Sequence, residues 1–536
     1  MSQPLVAPEL FRTPLDLPAI SYDHLLRLAA ERVPERPAII FHNLRLTYRQ
    51  VVSMVNSVAN GLCSAGIGKG DTICLFSPNR PEYTLTLNAA ATIGAVVTPM
   101  NPSYKEREIA YQLSNSEAMA ILVYRDLLPA LQNVLSHTDL PHLKHIIVTG
   151  IDADVPADLP GALSFARLLR ESSPMRPVPV EINVDDVFAL PYSSGTTGLP
   201  KGVILSHRNL VSNHLQFLTA AGINSSDTTI IFLPLYHIYG VLLTGSFLAA
   251  GATQVLLERF DPIRVLDLCE QHSVTWFFAV PPVILALANA PDLSKMKTVR
   301  YLMNAAAPLP PDPARKLHER TGITIVQGYG LTESSPDTHL SPVDPSLMRL
   351  ESAGLLVPNT EHKIMDSETG TRELPLGEDG EVVVRGPQIM QGYWQAPEET
   401  ARVLWDGWLY TGDIGHLDAE GYLYIVDRKK EMIKYKAFSI APAELEGLLL
   451  EHPAVQDAAV IGVPDDEAGE VPKGFVVLRS GQQVTEDELL VSVNEKVAGY
   501  KKLHVIEFID AIPKLASGKI LRRELKERER ARKNLA

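Results

Sequence analysis

The chain has 536 residues, of which 46% are hydrophobic and 21% charged, as in a globular protein too long for one compact core. A net charge of −14 argues against nonspecific nucleic-acid binding, which depends on Lys and Arg neutralising phosphates. Three scattered cysteines without metal-ligand spacing, and no secretory signal in MSQPLVAPELFRT, predict free thiols in a reducing, cytoplasmic setting.

The first third of the chain alternates between helical and strand-like segments. LTYRQVVSMVNSVANGLCSAG, which begins at Leu46, has the apolar spacing of a helix and ends at a glycine. DTICLFSP and GAVVTPM predict short buried strands. The Pro- and Ser-rich stretch DLPGALSFARLLRESSPMRPVPVE predicts a surface connection.

From Val187 to Glu333 the alternation becomes sharper. TIIFLPLY, ATQVLLE, VTWFFAV, VRYLMN and ITIVQGYG are strand-like, and helical segments such as DPIRVLDLCEQH, with Asp261 as N-cap and Pro262 at the first helical position, separate them. GVLLTGSFLAAGATQVLL is interrupted by glycines and hydroxyls, so it predicts a buried helix plus a strand and no membrane span. The pattern indicates a layered α/β domain.

The last third changes character. From about His362 it is β-rich, then comes the basic segment DRKKEMIKYK, and a separate α+β block follows. We place a domain boundary at this segment, with an N-terminal domain of residues 1–427 and a C-terminal domain of residues 428–536.

The segment YSSGTTGLPKG, from Tyr192 to Gly202, concentrates hydroxyls and glycines after an apolar run. Glycines let backbone N–H groups approach an anion closely, hydroxyls add donors, and Lys201 supplies a point charge that suits phosphate. The spacing fits neither a P-loop nor a dinucleotide-binding fingerprint. The segment predicts a polyphosphate-binding loop, with an ordinary Ser/Thr/Gly connection as the alternative.

Further motifs occur along the chain in a fixed order. They are LTYRQ at Leu46, LPLYHIYG at Leu233, QGYGLTES at Gln327, GEVVVRGPQIMQGYW at Gly380, WLYTGDIG at Trp408, DRKKEMIKYK at Asp427 and PKLASGKILRREL at Pro513. With the glycine-rich loop they resemble, over essentially the whole chain, the motifs of the adenylate-forming superfamily, and the chain is most similar to 4-coumarate–CoA ligases and related acyl-CoA synthetases. The resemblance implies a large αβαβα N-terminal domain with a β-rich subdomain, and a small, mobile α+β C-terminal domain.

The family reaction has two steps. A carboxylate attacks the α-phosphate of ATP to give acyl-AMP and pyrophosphate, and the thiol of coenzyme A then displaces AMP. The resemblance implies ATP, Mg²⁺ and coenzyme A as ligands and an arylpropenoic or fatty acid as the substrate. It implies small-molecule partners, with no nucleic acid and no transmembrane segment, and leaves the oligomeric state open.

The resemblance also assigns roles for adenylation. Lys519 would bridge the carboxylate and the α-phosphate, Glu333 would bind Mg²⁺, and Asp413 would accept the ribose hydroxyls. The implied catalytic residues are Lys519, His237, Thr332, Glu333 and Lys434. The implied ATP-binding residues are Ser193, Ser194, Gly195, Thr196, Thr197, Gly198, Lys201, Gln327, Gly328, Tyr329, Thr332, Asp413, Arg428 and Lys519.

For the second step the resemblance implies that the C-terminal domain rotates about Lys430. This rotation would bring Lys434 into the site, and Arg259, Lys436 and Ala437 would contact coenzyme A. Ala437 replaces a usual glycine, and because alanine disfavours positive φ, it puts the details of that contact in question.

The acyl pocket is expected from His237, Tyr239, Ala305, Ala306, Gly330, Pro336, Asp337 and Leu340. His237 stands where amino-acid-activating domains carry an aspartate, which argues against an amino-acid substrate. Ala305 replaces a frequent glycine and would narrow the pocket. Asp337 stands where an apolar residue is usual; a buried carboxylate is costly, so it either points away or marks a polar substrate.

Four readings remain open at the level of sequence. The leading one is an acid–CoA ligase, and the second is an enzyme that loads a carrier-protein thiol. A luciferase-like oxygenase and a non-catalytic nucleotide-binding regulator are the others. Taken singly, each residue also has an ordinary reading: Glu333 as a helix N-terminal carboxylate, Asp413 as a turn residue, Tyr329 as a core aromatic, and the lysines as a solvated face.

Overall fold

The computed structural model describes residues 8–150, 159, 161–193, 200–307, 309, 311–435, 438–465, 468–497, 499–515 and 518–533. Up to Glu171 the helices and strands are α1 (Glu9–Arg12), α2 (Asp23–Arg32), β1 (Pro37–Phe41), β2 (Leu44–Thr47), α3 (Tyr48–Ser64), β3 (Thr72–Phe76), α4 (Pro81–Ile93), β4 (Val96–Pro99), α5 (Glu106–Asn115), β5 (Ala120–Tyr124), α6 (Leu128–His137), β6 (His145–Thr149), β7 (Leu163–Ser164) and α7 (Phe165–Glu171).

The next part of the chain contains most of the candidate site residues. Its elements are β8 (Val187–Ala189), β9 (Tyr192–Ser193), β10 (Lys201–Ser206), α8 (His207–Ala221), β11 (Thr228–Ile231), α9 (Ile238–Ala250), β12 (Thr253–Leu256), α10 (Pro262–Gln271), β13 (Trp276–Ala279), α11 (Pro281–Asn289), β14 (Tyr301–Asn304), α12 (Pro311–Thr321), β15 (Thr324–Gly330), β16 (Asp337–Leu340) and β17 (Leu355–Leu356).

The remaining elements form two smaller sheets and the helices that cover them. They are β18 (Glu361–Met365), β19 (Gly380–Arg385), β20 (Gly392–Tyr393), α13 (Pro397–Val403), β21 (Leu404–Trp405), β22 (Trp408–Leu417), β23 (Leu423–Arg428), β24 (Ile433–Tyr435), β25 (Phe438–Ile440), α14 (Pro442–Leu450), β26 (Val455–Asp465), β27 (Gly469–Leu478), α15 (Glu486–Asn494), β28 (Val505–Phe508) and α16 (Arg522–Lys533).

Two large sheets build the N-terminal domain. The first has the strand order β17-β16-β15-β14-β13-β11-β12-β1-β2 and is parallel from β15 to β1. The second has the order β20-β10-β8-β4-β3-β5-β6-β7 and is parallel from β8 to β7, while β9 pairs with β10. Parallel strands need crossover helices, which explains the alternation in the sequence.

The second sheet shows how the layers arise from side-chain alternation. In β3, Ile73 and Leu75 join the main core between the sheets, whereas Cys74 and Phe76 join a separate core with α5 and α6 on the other face. Both faces are therefore covered by helices, as parallel sheets require. Helices α4 and α9 are buried almost all round in the main core. The predicted αβαβα layering is confirmed.

Several local predictions are also confirmed. The helix after Leu46 begins at Tyr48 with a capping box on Thr47, because the Thr47 hydroxyl accepts from the Gln50 N–H while the Gln50 side chain accepts from the Thr47 N–H. Asp261 caps α10 by accepting the N–H groups of Ile263 and Arg264. The most apolar stretch forms α9 and β12, and no helix in the described ranges is long and apolar enough to cross a membrane.

The predicted surface connection after residue 157 is wrong in one part. Residues 165–171 form α7, whose N-cap Ser164 accepts the Arg167 N–H at 3.4 Å. Phe165 and Leu168 of this helix are buried in the main core. The density of Pro and Ser around the segment hid a short helix that only its neighbours stabilise, since a helix of seven residues is marginal alone.

The C-terminal elements make a unit with its own core. Strands β24 to β28 form one sheet, with a long antiparallel pair between β26 and β27, and helices α14 and α15 pack on it. A second small core lies under α16. The third sheet, of β18, β19, β21, β22 and β23, is the predicted β-rich subdomain and leads directly into this unit.

The two large sheets are joined at the carboxyl ends of their strands by buried Asn79, which follows β3. Its Oδ1 accepts the Leu235 N–H at 2.8 Å, and its Nδ2 donates to the carbonyls of Leu233 and Leu257 at 2.9 and 3.2 Å. We expect Asn79→Ala to lower the free energy of unfolding by about 3 kcal/mol, because it leaves buried backbone groups unpaired. Urea titration would measure this. Asn289→Ala, which loses only exposed contacts, should change it by less than about 0.5 kcal/mol, and equal losses would contradict the interpretation.

Candidate active site

The site begins at the carboxyl ends of the parallel strands β14 and β15. Register places Asn304 beside Gln327, and the Asn304 Nδ2 donates to the Gln327 Oε1 at 2.8 Å. Gln327 in turn donates to the Leu350 carbonyl at 2.6 Å. Ligands of open α/β sheets bind outside this edge. The hydrogen bonds of these two side-chain amides fix the end of β15, where Gly328 and Tyr329 follow Gln327.

Tyr329, Asp413 and Arg428 form a linked group. The Tyr329 hydroxyl donates to Asp413 Oδ2 at 2.7 Å, and Arg428 Nε lies 2.8 Å from Asp413 Oδ1. Strand pairing places Asp413 of β22 opposite Arg428 of β23. Burial and the Asp413 charge raise the pKa of Tyr329 far above its usual range, so this phenol stays neutral. The group presents an acceptor and an aromatic ring on one wall of the site.

Glu333 lies in a short 3₁₀-helix, Thr332–Ser334, after β15. Its Oε1 accepts from the Ser193 hydroxyl at 3.2 Å and from the Tyr393 hydroxyl at 2.8 Å, and its backbone carbonyl accepts the Met390 N–H. These contacts orient one carboxylate toward the loop that begins at Ser193. No cluster of three or more His, Cys, Asp or Glu suited to a metal occurs among the described residues. Glu333 thus offers one oriented carboxylate, and one carboxylate together with phosphate oxygens is a donor set that Mg²⁺ accepts.

Lys201 opens β10 on the far side of the glycine-rich loop. Its ammonium pairs with Glu399 of α13 and lies 5.3 Å from the centre of the Tyr393 ring. Glu399 therefore fixes the position of the Lys201 ammonium. A bound polyphosphate would compete with Glu399 for this ammonium.

Lys519 comes from the C-terminal domain and reaches this group. A tight turn carries it, in which the Gly518 N–H donates to the Leu515 carbonyl at 2.8 Å and the Leu515 N–H to the Lys519 carbonyl at 2.9 Å. Burial lowers the pKa of Lys519, and the positive charge of Arg428 lowers it further, while Asp413 and Glu333 oppose the shift. The charges of Arg428, Asp413 and Glu333 therefore act on Lys519, and its neighbour Gly518 packs against Pro282 of the N-terminal domain.

The charge of Lys519 also affects the pKa values of Lys430 and His237. Burial lowers the pKa of Lys430 to about 8, with the charges of Arg428 and Lys519 acting in the same direction. His237 caps α9, its Nδ1 accepting the Tyr239 N–H at 3.3 Å, and the residue as a whole is exposed. Desolvation, with a smaller effect of the Lys519 charge, lowers the pKa of its imidazole, which is therefore neutral at pH 7.

The residues expected at the acyl pocket adjoin His237 and β15. Gly330 cannot carry a side chain, because a Cβ there would lie 1.9 Å from the Pro336 carbonyl oxygen. A Cβ on Gly328 would meet Met303, Leu340 and Ala305, so these three side chains surround Gly328. Ala305, Tyr239, Asp337 and Leu340 are buried. Ala306 is exposed and has φ +72°, an unusual conformation for a residue with a side chain.

Other predicted site residues are not in this group. Arg259 is exposed in the connection between β12 and α10, and Lys434 is exposed in β24, where its N–H donates to Glu470 Oε2. The remaining predicted residues lie outside the described residues; they are Ser194, Gly195, Thr196, Thr197, Gly198, Lys436 and Ala437.

Two residues of the site were not predicted. Tyr393 donates to Glu333, and Glu399 pairs with Lys201. Tyr393 belongs to the motif that ends in QGYW. The motif marked this segment as part of the family pattern, but it did not indicate that the Tyr393 hydroxyl contacts Glu333. Glu399 carries no signal, since an acid in the first turn of a helix is ordinary.

The comparisons with known proteins agree with this geometry. The family model "AMP-binding enzyme" matches residues 26–394, and "AMP-binding enzyme C-terminal domain" matches residues 444–519. The chain is 41% identical to 4-coumarate–CoA ligase 1 of Petroselinum crispum over 90% of this chain and 89% of the relative. It is 40% identical to 4-coumarate–CoA ligase of Pinus taeda over 93% of each.

Solved structures lead to the same family. An anthranilate CoA ligase in complex with anthranoyl-AMP has a TM-score of 0.88 at 29% identity, over 97% of this chain and 99% of that one. ATP-bound MatB from Rhodopseudomonas palustris has a TM-score of 0.87 at 27% identity, over 95% and 99%. The chain belongs to the AMP-binding enzyme family. The predicted reaction class, ATP-dependent ligation of a carboxylic acid to coenzyme A through an acyl-adenylate, is confirmed.

Gly518 is the point where the turn of Lys519 meets the N-terminal domain. Its φ is +84°, and a Cβ there would lie 2.8 Å from Cδ of Pro282. We expect Gly518→Ala to slow acyl-adenylate formation at least about tenfold, because the methyl group strains the turn and pushes Lys519 out of the site. Pyrophosphate release would measure it.

The matched control is Gly481→Ala. Gly481 has a similar φ of +78° but nothing within 4 Å of an added Cβ. The Gly481→Ala variant has the same backbone strain as Gly518→Ala but no contact with the other domain. We therefore expect it to leave the rate of adenylation unchanged. Equal losses in both variants would show that strain alone, and not the contact with Pro282, causes the effect.

Proposed function

We propose that this protein ligates an arylpropenoic acid to coenzyme A, and that Lys519 carries the first step. The observation that supports this is the position of Lys519. Lys519 comes from the C-terminal domain, yet its neighbour Gly518 lies against Pro282, since a Cβ on Gly518 would be 2.8 Å from the Pro282 Cδ. The charges of Glu333, Asp413 and Arg428 affect the pKa of Lys519, and Lys519 in turn affects that of His237. When a carboxylate attacks a phosphate, two anions repel each other. A lysine ammonium in the nucleotide-binding cleft would reduce this repulsion.

In the first step a carboxylate oxygen of the acid attacks the α-phosphorus of ATP. The new bond is oxygen to phosphorus, and the bond between the α-phosphorus and the bridging oxygen breaks, so that pyrophosphate leaves. Lys519 would contact the carboxylate and an α-phosphate oxygen at once, which reduces their repulsion and aligns them. Neutral His237 would border the acyl group without adding charge.

The nucleotide would lie along the carboxyl edge of the first sheet. Tyr329 would stack on adenine, and Asp413 would accept the ribose hydroxyls, because its carboxylate is already oriented by Tyr329 and Arg428. Ser193 and Lys201 flank the loop proposed to hold the β- and γ-phosphates, and Lys201 would exchange Glu399 for phosphate. Thr332 begins the short helix that positions Glu333.

Glu333 would hold Mg²⁺ together with the phosphates. The ion would neutralise phosphate charge when bound. The protein's part is to keep the Glu333 carboxylate in place, and the hydroxyls of Ser193 and Tyr393 do this through Oε1.

In the second step the coenzyme A sulfur attacks the acyl carbon, a carbon–sulfur bond forms, and AMP leaves with the carboxyl oxygen. We propose domains of residues 1–427 and 428–536, with rotation about Lys430 exchanging Lys519 for Lys434. The junction supports a discrete hinge, since Asp427 accepts the Ala443 N–H at 2.9 Å and fixes one end of it. Lys430, crowded by Arg428 and Lys519, would gain from their separation. Arg259, Lys436 and Ala437 would meet coenzyme A in that state.

The acid is inferred from two lines of support. Relatives at about 40% identity are named 4-coumarate–CoA ligases, and neutral His237 stands where an amino-acid substrate would need a carboxylate. These names also favour coenzyme A over a carrier-protein thiol as the acceptor.

The two lysines should separate the half-reactions. We expect Lys519→Ala to slow acyl-AMP formation by about 10²- to 10³-fold, since it removes a charge that acts at the transition state, and to spare thioester formation from pre-made acyl-AMP. Lys434→Ala should show the reverse. Single-turnover assays of each half-reaction would measure this.

Lys514→Ala is the matched control for Lys519→Ala, because Lys514 lies in the same turn but pairs with Asp457 at 2.7 Å. It should leave both half-reactions near the wild-type rate. If Lys519→Ala or Lys434→Ala slowed both half-reactions equally, domain alternation would be wrong.

The magnesium role of Glu333 has its own test. We expect Glu333→Gln to raise the Mg²⁺ concentration for half-maximal adenylation about tenfold or more, because the amide is a weaker ligand for a hard cation. Titration of pyrophosphate release with Mg²⁺ would measure it, with Glu398→Gln in exposed α13 as the control. An unchanged Mg²⁺ requirement in Glu333→Gln would remove Glu333 from the metal site.

A further inference from the structure

Glu399 of α13 pairs its two carboxylate oxygens with two different cations. Its Oε2 accepts from the Lys201 ammonium, and its Oε1 accepts from the Arg402 Nη1 at 2.6 Å. A hydrogen bond from Lys201 and the charges of Lys201 and Arg402 lower the pKa of Glu399, so its carboxylate is ionised at pH 7. The side chains of Lys201 and Glu399 are 24% and 32% exposed, so an anion from solution can reach the pair.

The Lys201 ammonium lies close to the proposed magnesium ligand. It is 5.3 Å from the centre of the Tyr393 ring, and the Tyr393 hydroxyl donates to Glu333 Oε1 at 2.8 Å. Strand pairing places Lys201 opposite Ser193, whose hydroxyl donates to the same Glu333 oxygen. A phosphate that binds Lys201 beside these groups competes with Glu399 for the ammonium.

Glu399 can release Lys201 without a movement of the backbone. The Thr400 Oγ1 accepts the Tyr393 N–H at 2.8 Å, which ties α13 to β20. Arg402 lies three residues after Glu399, on the same side of the helix, and its side chain is 67% exposed. Its contact with Oε1 is separate from the contact between Oε2 and Lys201. When Lys201 turns to another anion, the Glu399 carboxylate therefore keeps one cationic partner.

We propose that Glu399 is an internal competitor for Lys201, which weakens the binding of ATP and pyrophosphate and speeds pyrophosphate release by returning to the ammonium. This inference rests on the proposed function, which assigns Lys201 to phosphate, and it adds Glu399 as a positioning residue for product release. Any phosphate on Lys201 must first displace Glu399, so the free energy of the pair is lost from the binding of that phosphate. AMP lacks the outer phosphates and is outside this competition.

Equilibrium binding gives the first test. Titration calorimetry of the full chain with pyrophosphate and Mg²⁺, without ATP or acid, would measure the Kd. We expect Glu399→Gln to lower this Kd by about three- to tenfold, since the amide keeps the size of the side chain but removes the charge that competes for Lys201. The Kd of AMP should change by less than about 1.5-fold, because AMP does not displace Glu399.

Kinetics give a second readout. In single turnovers, Glu399→Gln should lower the ATP concentration for half-maximal adenylation by about the same three- to tenfold factor. The rate at saturating ATP should stay within about twofold of the wild type, because substrate and transition state gain equally. The dissociation rate of pyrophosphate, followed by stopped-flow displacement, should fall about threefold or more. A misplaced Lys201 would instead weaken pyrophosphate binding, and this result would overturn the proposal.

Two controls assign the effect to the contact with Lys201. Glu398→Gln removes the same charge one residue earlier, at an exposed position of α13, and should leave the Kd of pyrophosphate unchanged. In a Lys201→Met background, Glu399→Gln should change this Kd by less than about twofold, because the two residues act as one unit. An equal effect of Glu398→Gln, or an undiminished effect of Glu399→Gln in the Lys201→Met background, would show general repulsion of anions and overturn the proposal.

The outcomes separate this inference from the proposed function. If Lys201→Met leaves the Kd of pyrophosphate unchanged, Lys201 is not a phosphate ligand, and both its proposed role and this inference fail. If Lys201→Met weakens pyrophosphate binding but Glu399→Gln does not strengthen it, only this inference fails.

Discussion

The structure depends on one electrostatic constraint, which is that several cations must share a small cleft with anionic side chains. Burial lowers the pKa values of Lys430 and Lys519, and the positive charge of Arg428 lowers both further. Asp413 and Glu431 oppose the shift of both lysines, and Glu333 opposes that of Lys519. Cations held in place before a ligand binds are preorganised for anions such as a triphosphate and a carboxylate.

The two domains contribute to this site in different ways. The N-terminal domain places its side chains at the edge of parallel strands that are buried on both faces, and Asn79 and Asn304 tie that edge together. The C-terminal domain contributes Lys519 on a turn, whose close approach to Pro282 requires glycine at position 518. We propose that a fixed N-terminal platform and a rotating C-terminal domain serve a reaction whose two steps need different groups.

Asp337 is a buried carboxyl that the fold keeps at a cost in stability. An apolar side chain would be cheaper at a site that excludes water, and nothing in the fold pairs with Asp337 Oδ2 among the described residues. Natural proteins retain such groups where activity needs them. In the Lys201–Glu399 pair, an acid fixes the position of a cation that we propose binds phosphate.

The sequence by itself determined the elements and the family. Alternation predicted the parallel sheets, local capping chemistry predicted the starts of the helices at Tyr48 and Pro262, and ordered motifs predicted that Lys519 would work with Glu333 and Asp413. Short-range patterns carry this information because side-chain period and capping act over a few residues. Helix α7 was missed because neighbours, and not propensity, stabilise it.

Only the tertiary structure decided which partners these residues have. It showed that Tyr393 orients Glu333 and that Glu399 holds Lys201. It also showed that Asp337 Oδ2 and the Tyr239 hydroxyl are buried without a hydrogen-bond partner in the part of the chain that the structure describes. Each of these facts joins residues tens to hundreds of positions apart. Burial and proximity across such distances are properties of packing, and no local pattern of residue types records them.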